Sequence, residues 1–184
     1  MATAEHAVLH VLTGYRPKTT VECSDVERVR GAVEAGAPWE RESSLHITGS
    51  ALIVHPDSGR VLLRWHQHLQ SWLLVGGHAD PGEYDPLAIA LREGREETGL
   101  PDLAPWPDAE VRHLVIVPVP ENSREPAHEH ADVRFVLATN VPEAVRPENP
   151  DAPLRWLTPD EARMAITEAN VLDTLSRVEP LLVR

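Results

Sequence analysis

The sequence predicts an α/β protein in which helices cover a mixed β-sheet. Short apolar runs rich in β-branched residues alternate with helical periodicity, hairpin-length links join some runs, and one helix separates the third run from the fourth. The chain has 184 residues, a length typical of one compact domain. Its 42% hydrophobic and 25% charged content is that of an ordinary globular protein, which argues against a disordered or fibrous chain.

The N-terminal segment, residues 1–40, is predicted to be a helical extension that precedes the main domain at 41–184. Ser24 with Glu27 three residues later has the pattern of a capping box at the start of its second helix. These helices are also the candidate contact of a homodimer. The apolar residues that recur at helical spacing are Val8, Leu9, Val11, Leu12, Val26, Val29 and Val33.

The middle of the chain predicts six strands. Asp57, Ser58 and Gly59 form a polar turn of the kind that closes a hairpin between the first two strands. A polar, histidine-containing connection at 120–131 separates the fourth and fifth strands. The predicted strands are 45–54, 61–65, 72–75, 111–119, 132–139 and 154–157.

Two helices follow from their end signals. The stretch Pro86–Thr98 begins after Asp85, which can cap it, and ends before Gly99, which can take a left-handed conformation. Thr158 and Glu161 form the second capping box, which opens a C-terminal helical region.

The charge balance restricts the partners. Seventeen basic residues against 29 acidic ones give a net charge of −12, which opposes binding to polymeric nucleic acid or to an anionic membrane. The single cysteine, Cys23, rules out an internal disulfide and is expected to be a small buried hydrophobe. No targeting segment or long apolar stretch is evident, so we expect a soluble, cytoplasmic protein.

Three carboxylates share one face of the helix at 86–98. At about 100° per residue, Glu97 lies about 40° to one side of Glu93 and Glu96 about 60° to the other. The opposite, sheet-facing arc is expected to hold Leu87, Leu91, Gly94 and Thr98.

Like charges so close require compensation. Arg92 can pair with one carboxylate, and the hard oxygen ligands of the others suit Mg²⁺, with Mn²⁺ able to substitute. Gly77, directly after an apolar strand, can aim its carbonyl oxygen at the same ion. The alternative is an ordinary solvated helix face.

The segment from 76 to 100 reads GGHADPGEYDPLAIALREGREETGL, and it resembles the box of the Nudix hydrolases, G-x5-E-x7-R-E-U-x-E-E-x-G-U, where U is aliphatic. Two departures stand out. Eight residues instead of seven separate Glu83 from Arg92, with the extra residue expected in the loop before the helix, and Gly94 replaces the aliphatic residue, at a cost of about 1 kcal/mol in helix stability. The matching residues are Gly77, Glu83, Arg92, Glu93, Glu96, Glu97, Gly99 and Leu100.

The resemblance implies a Nudix-type α/β/α sandwich with a mixed central β-sheet. It also implies divalent-metal-dependent hydrolysis of a diphosphate bond in a nucleoside diphosphate linked to another moiety, and therefore a small nucleotide-type substrate. The metal ligands would be Gly77, Glu93, Glu96 and Glu97, with Arg92 positioning the carboxylates. The general base would be Glu96 or Glu97, or an acid of a distal loop, for which the candidates are Glu129, Glu148 and Asp151.

Histidines and a tryptophan are the further candidate site residues. His78, His128 and His130 are predicted to contact substrate, although structural hydrogen bonding, or a transition-metal site completed by Asp132, are alternatives. Trp72 is a candidate for stacking on a nucleobase, and core packing is its alternative role.

Two other functions remain open at this point. A non-catalytic module of the same fold would bind a nucleotide or sugar nucleotide without turning it over. An isomerase of prenyl diphosphates is disfavoured, because related isomerases use a cysteine near the site and Cys23 lies far from the box in sequence. The identity of the group attached to the diphosphate does not follow from the sequence.

Overall fold

A computed structural model of the chain describes residues 4–36, 38–121, 123 and 125–182. Five α-helices and eight strands form in the described part of the chain. In order they are α1 (Ala4–Thr13), α2 (Thr20–Glu34), β1 (Leu45–His55), β2 (Arg60–His66), β3 (Ser71–Leu73), β4 (Val75–His78), α3 (Pro86–Thr98), β5 (Ala104–Pro105), β6 (His113–Val119), β7 (His128–Ala138), β8 (Leu154–Leu157), α4 (Pro159–Ala165) and α5 (Ala169–Leu182).

The sheet is mixed, as predicted, because its two long central strands run parallel. β1 pairs with β7 from Leu45 opposite Glu129 to Val54 opposite Ala138. The remaining pairings are antiparallel, and β1 pairs with β2 near its end and with β4 near its start. The strand β4 therefore lies beside the first half of β1.

Helices cover both faces of the sheet, which gives the α/β/α arrangement. Alternate residues of β1 point to opposite faces, so Ala51 and Ile53 join the core under α1, α2 and α3, whereas Leu52 and Val54 join the core under α4 and α5. α3 lies directly on β1: a Cβ atom at Gly49 would stand 2.3 Å from the carbonyl oxygen of Pro86.

The N-terminal helices pack on the sheet. The Tyr15 hydroxyl accepts a hydrogen bond from the Leu114 backbone N–H at 3.1 Å, and Asp25 accepts one from Ile116 at 3.1 Å, both on β6. The division of the chain at residue 40 stays a prediction, as does the homodimer contact. Cys23 is exposed on α2, so its predicted burial is wrong.

Several element ends differ from the prediction. α2 begins at Thr20 with Thr19 as its cap, so the predicted capping box at Ser24 is wrong; the Thr19 hydroxyl already accepts from the Glu22 N–H. The strand predicted at 72–75 is divided, because β3 pairs with β2 whereas β4 pairs with β1. β7 begins at His128, four residues early, because its first residues extend the parallel ladder with β1.

The ends of α3 agree with the prediction. Asp85 accepts a hydrogen bond from the Leu87 N–H, and Gly99 ends the helix at a φ of 66°. Among the described residues, none of the helices combines the length and the apolar character that crossing a membrane would require.

Candidate active site

The candidate site lies where β4 and α3 face each other. Gly77 of β4 lies directly beneath the carboxylate of Glu93, since a Cβ atom at position 77 would stand 2.3 Å from Glu93 Oε1. No other residue type would fit there without displacing that carboxylate. The close approach explains why a glycine follows the apolar strand at this point.

Arg92 lies at the centre of the acidic cluster. Its Nη1 donates hydrogen bonds to Glu93 Oε1 and Glu96 Oε2, each at 2.9 Å. Its Nη2 donates to Glu83 Oε2 at 2.9 Å and to the carbonyl oxygen of His78 at 2.8 Å. The guanidinium therefore joins α3, the loop before it and β4, and it holds two of the three helix carboxylates in place.

The extra residue before the helix does not separate Glu83 from Arg92. α3 begins at Pro86 with Asp85 as its cap, and Glu83 in the preceding loop still accepts a hydrogen bond from Arg92 Nη2 at 2.9 Å. Glu83 also accepts a hydrogen bond from the Asp80 N–H at 3.1 Å, which closes the loop on itself.

Glu97 is the most buried of the three helix acids. Its side chain is 10% exposed, against 18% for Glu93 and 51% for Glu96. Glu97 Oε1 lies 3.3 Å from Arg64 Nε on β2, and the backbone N–H of Gly76 donates to Oε2 at 3.1 Å. Burial raises the pKa of Glu97 to about 7 even though both of these partners lower it.

The buried face of α3 differs from the predicted one. Ile89, Ala90 and Glu97 are buried together with Gly94 and Thr98. The buried arc of the helix therefore includes Glu97, whereas the predicted buried arc lay opposite to the acids. The overlap explains how one acid of the cluster becomes desolvated while Glu96 stays in contact with water.

These donors fit a hard divalent cation. Three carboxylates of one helix lie beside a glycine-lined strand end, and burial also raises the pKa of Glu93 against the opposing effect of Arg92. A carboxylate desolvated in this way gains more from a cation than one in water, and oxygen ligands of this type suit Mg²⁺ or Mn²⁺.

The three distal acids differ in their surroundings. The backbone N–H of Glu148 donates to the carbonyl oxygen of Glu97 at 3.2 Å, and its negative charge contributes to the raised pKa of Glu97. Glu129 is ion-paired with Arg28 of α2. Asp151 is exposed, in the loop before β8. The structure therefore brings one distal candidate, Glu148, beside the cluster.

Trp72 is half-buried and contacts another tryptophan and an arginine. Its ring packs edge-to-face with Trp65 at 5.4 Å between centroids, and the Arg155 guanidinium lies 5.4 Å above it. It also packs against the core under α4 and α5. Its predicted stacking on a nucleobase stays a prediction.

The predicted substrate-contacting histidines lie on the other side of β4. Gly77 faces Glu93, so the next residue, His78, points to the opposite face of the sheet, where it meets His130 and His128. The alternative set completed by Asp132 does not form, because Thr48, Ser50 and Arg134 all donate hydrogen bonds to that carboxylate.

Arg64 was not predicted as a site residue, and the role of His46 was left undecided. Arg64 pairs with Glu97, and His46 packs against the three histidines with ring centroids 4.9 to 5.2 Å apart. Neither residue belongs to the motif. Their positions on β2 and β1 become relevant only through the pairing of the strands.

Comparison with known proteins agrees with the family resemblance of the box. A family model described as the NUDIX domain matches residues 45–175. A probable DHNTP pyrophosphohydrolase from Lactococcus lactis subsp. cremoris is 32% identical over 106 residues, which cover 58% of this chain and 61% of that protein. The chain thus spans less than two thirds of the length of this relative.

Solved structures show the same fold. A NUDIX-family hydrolase from Clostridium perfringens superposes with a TM-score of 0.58 at 22% identity, over 74% of this chain and 97% of that one. The dihydroneopterin triphosphate pyrophosphohydrolase of E. coli superposes with a TM-score of 0.55 at 16% identity, over 73% and 95% of the two chains. At these identities the likeness concerns the fold alone.

Proposed function

The chain belongs to the Nudix family, and from that premise we propose that it hydrolyses a diphosphate bond in a nucleoside diphosphate linked to another moiety. The observation that carries the proposal is that Glu93, Glu96 and Glu97 lie beside the Gly76–Gly77 strand end, where Arg92 holds the first two and the Gly76 N–H binds the third. A solvated helix face would not bury one of its three acids and half-bury another.

The three helix carboxylates, with the Gly77 carbonyl oxygen, would hold the divalent cation. When bound, Mg²⁺, or Mn²⁺ in its place, would neutralise phosphate charge and lower the pKa of the attacking water. Arg92 would keep Glu93 and Glu96 in position while the substrate exchanges, because its other hydrogen bonds anchor it to Glu83 and to β4.

Glu97 is the proposed general base, through the carboxylate oxygen that the cation would leave free. Water attacks phosphorus, one P–O bond of the diphosphate breaks, and the proton of the water passes to a carboxylate. Burial raises the pKa of Glu97, which makes this carboxylate a better proton acceptor than a solvated one. Arg64, beside it, would offset negative charge that develops on the phosphate oxygens. Glu148 is the alternative base.

The proposed partner is a small nucleotide-type molecule. The net charge of −12 argues against polymeric nucleic acid and anionic membranes, and the single cysteine is compatible with the cytoplasm. Two proteins similar to this chain are named for dihydroneopterin triphosphate, so this compound belongs in the first set of substrates to test.

The test is a hydrolysis assay of the full chain with Mg²⁺ on nucleoside triphosphates, dinucleoside polyphosphates, sugar nucleotides and dihydroneopterin triphosphate. Reaction in ¹⁸O-labelled water should place the label in a phosphate product, as attack on phosphorus requires. Glu97→Gln should lower kcat by about 100-fold or more on the best substrate.

The matched control is Glu143→Gln, the same exchange at an exposed position of the short 3₁₀ helix Pro142–Ala144, which should leave kcat unchanged. Full turnover by the Glu97→Gln variant would remove this acid from the mechanism. Calorimetric binding of a nucleotide that remains intact after prolonged incubation with Mg²⁺ would replace the proposal with a non-catalytic binding module.

A further inference from the structure

A cluster of imidazoles lies outside the acidic site, at one end of the sheet. His46 of β1 pairs in register with His130 of β7, and His78 of β4 pairs with Thr48, two residues along β1. One ring nitrogen from each of the three histidines lies within 4.8 Å of the other two. The Nε2 atoms of His78 and His130 are 3.1 Å apart.

We propose that His46, His78 and His130 form a second metal site, which takes a transition-metal ion of the Zn²⁺ type. Three imidazole nitrogens that converge from three strands are a donor set for Zn²⁺, Co²⁺ or Ni²⁺, whereas Mg²⁺ prefers oxygen. The site requires neither the box acids nor hydrolysis.

His46 supplies an observation independent of the clustering. Its side chain is 1% exposed, and its Nδ1 lies 3.0 Å from the carbonyl oxygen of Ser43, so Nδ1 must carry the proton. Its Nε2 atom is therefore a bare acceptor, and among the described residues this buried atom has no hydrogen-bond partner. Burying an unpartnered acceptor is costly, and an ion at this point would satisfy it.

The hydrogen bond from His46 Nδ1 to the Ser43 carbonyl oxygen is also typical of a histidine that binds a metal ion through Nε2. A ligating imidazole usually donates its other ring N–H to a carbonyl oxygen or carboxylate, which selects the tautomer and orients the ring.

The neighbouring groups favour histidine ligands alone. Asp132 lies on the same face of β7 as His130, but its carboxylate oxygens already accept hydrogen bonds from Thr48, Ser50 and Arg134. His128 Nε2 lies 3.1 Å from His130 Nε2, so either His128 or a water molecule would complete four-coordination. A second convergence of donors, at Glu22, His113 and Asp173, already surrounds the guanidinium of Arg177.

The two sites lie on opposite faces of β4, so each can be tested by variants that leave the other intact. Gly77 faces the carboxylate of Glu93, and His78, the next residue, faces the imidazoles. A variant of the box should therefore spare the histidine site, and a variant of the histidine cluster should spare the box carboxylates.

The test uses the full chain, stripped of metal and titrated with Co²⁺ in a large excess of Mg²⁺. We expect one equivalent of Co²⁺ and the intense visible absorption of a four-coordinate ion with nitrogen ligands. His130→Gln and His46→Gln should each weaken Co²⁺ binding by about 10-fold or more. The matched control His68→Gln, in an exposed loop, should bind as the native chain does.

A parallel titration of Glu93→Gln distinguishes this proposal from the proposed function. The Co²⁺ band should persist in that variant even if hydrolysis is lost. The proposal is overturned if the band disappears with Glu93→Gln and survives His130→Gln, or if the native chain shows no band at millimolar Co²⁺.

Melting curves recorded without added metal show whether each histidine variant is folded. Addition of Zn²⁺ should raise the Tm of the native chain by several degrees and leave that of His130→Gln unchanged. An equal rise in both chains would also overturn the proposal.

Discussion

Replacing Arg177 by methionine should destabilise the protein strongly, and the loss should depend on pH. Arg177 on α5 is 6% exposed at its side chain and donates to Glu22 on α2, with Nη2 2.6 Å from Oε1. Burial alone would raise the pKa of Glu22, but the hydrogen bonds from Arg177 and Tyr15 outweigh it and lower the pKa from 4.5 to about 2. The pair joins the N-terminal helices to the last helix.

The size of the effect follows from that pKa. At about 1.4 kcal/mol per unit, the shift corresponds to roughly 3 kcal/mol of stability. Because the folded-state pKa is lowered, this contribution is fully present above about pH 4.5 and disappears as the pH falls through about 2. Removing the arginine leaves a buried carboxylate unpaired, which costs roughly 3–5 kcal/mol at pH 7.

The assay is urea unfolding of the native chain and Arg177→Met at pH 7 and pH 3. At pH 3 the difference in unfolding free energy should fall to less than half, because the unpaired Glu22 becomes protonated in the variant. In a Glu22→Gln background, the Arg177→Met difference should no longer depend on pH through this group. Asp173→Asn, which removes the exposed partner of the same arginine, should cost less than about 1 kcal/mol. A loss below about 1 kcal/mol for Arg177→Met at pH 7, or equal losses at both pH values, would refute the reasoning.

Three further substitutions test the box. Gly77→Ala should displace the Glu93 carboxylate and raise the Mg²⁺ concentration needed for half-maximal turnover by about 10-fold, and an unchanged Mg²⁺ titration would contradict this. Gly94→Leu restores the aliphatic residue of the box. It should lower the unfolding free energy by roughly 1–3 kcal/mol, because a Cβ atom there already stands 3.0 Å from Leu103 Cδ1. A variant that is more stable in urea unfolding would show that the gain in helix propensity exceeds the cost of this contact. Arg92→Lys should lower kcat by about 10-fold or more, since one ammonium cannot replace the several guanidinium N–H donors, one of which binds Glu93. Native turnover in this variant would mean that these hydrogen bonds are dispensable.

Local signals made α3 predictable from the sequence. Asp85 caps the helix, Gly99 ends it, and the spacing of the acids places Glu93, Glu96 and Glu97 close together. Each of these features depends on residues within one or two turns of one another, so the pattern along the chain already contains the geometry. The family assignment follows from the same short segment.

Two of the wrong predictions concern places where a competing partner, local or distant in the chain, determines the structure. Ser24 could have capped a helix, but Thr19 caps it one turn earlier and reaches Glu22. The first residues of β7 look like a loop, yet they form strand because β1 provides a parallel partner. A polar sequence of this kind adopts a β conformation when its backbone groups find a ladder.

The sequence by itself therefore determined the helix that carries the acids, its caps, and the alternation of strands and helices that is typical of a mixed sheet covered by helices. Only the tertiary structure decided that Arg64 meets Glu97, that Asp132 is taken by its neighbours, and that His46 joins His78 and His130. The physical reason is that strand register and the two faces of a sheet arise from pairings between residues far apart in the chain, which the spacing within one segment does not specify.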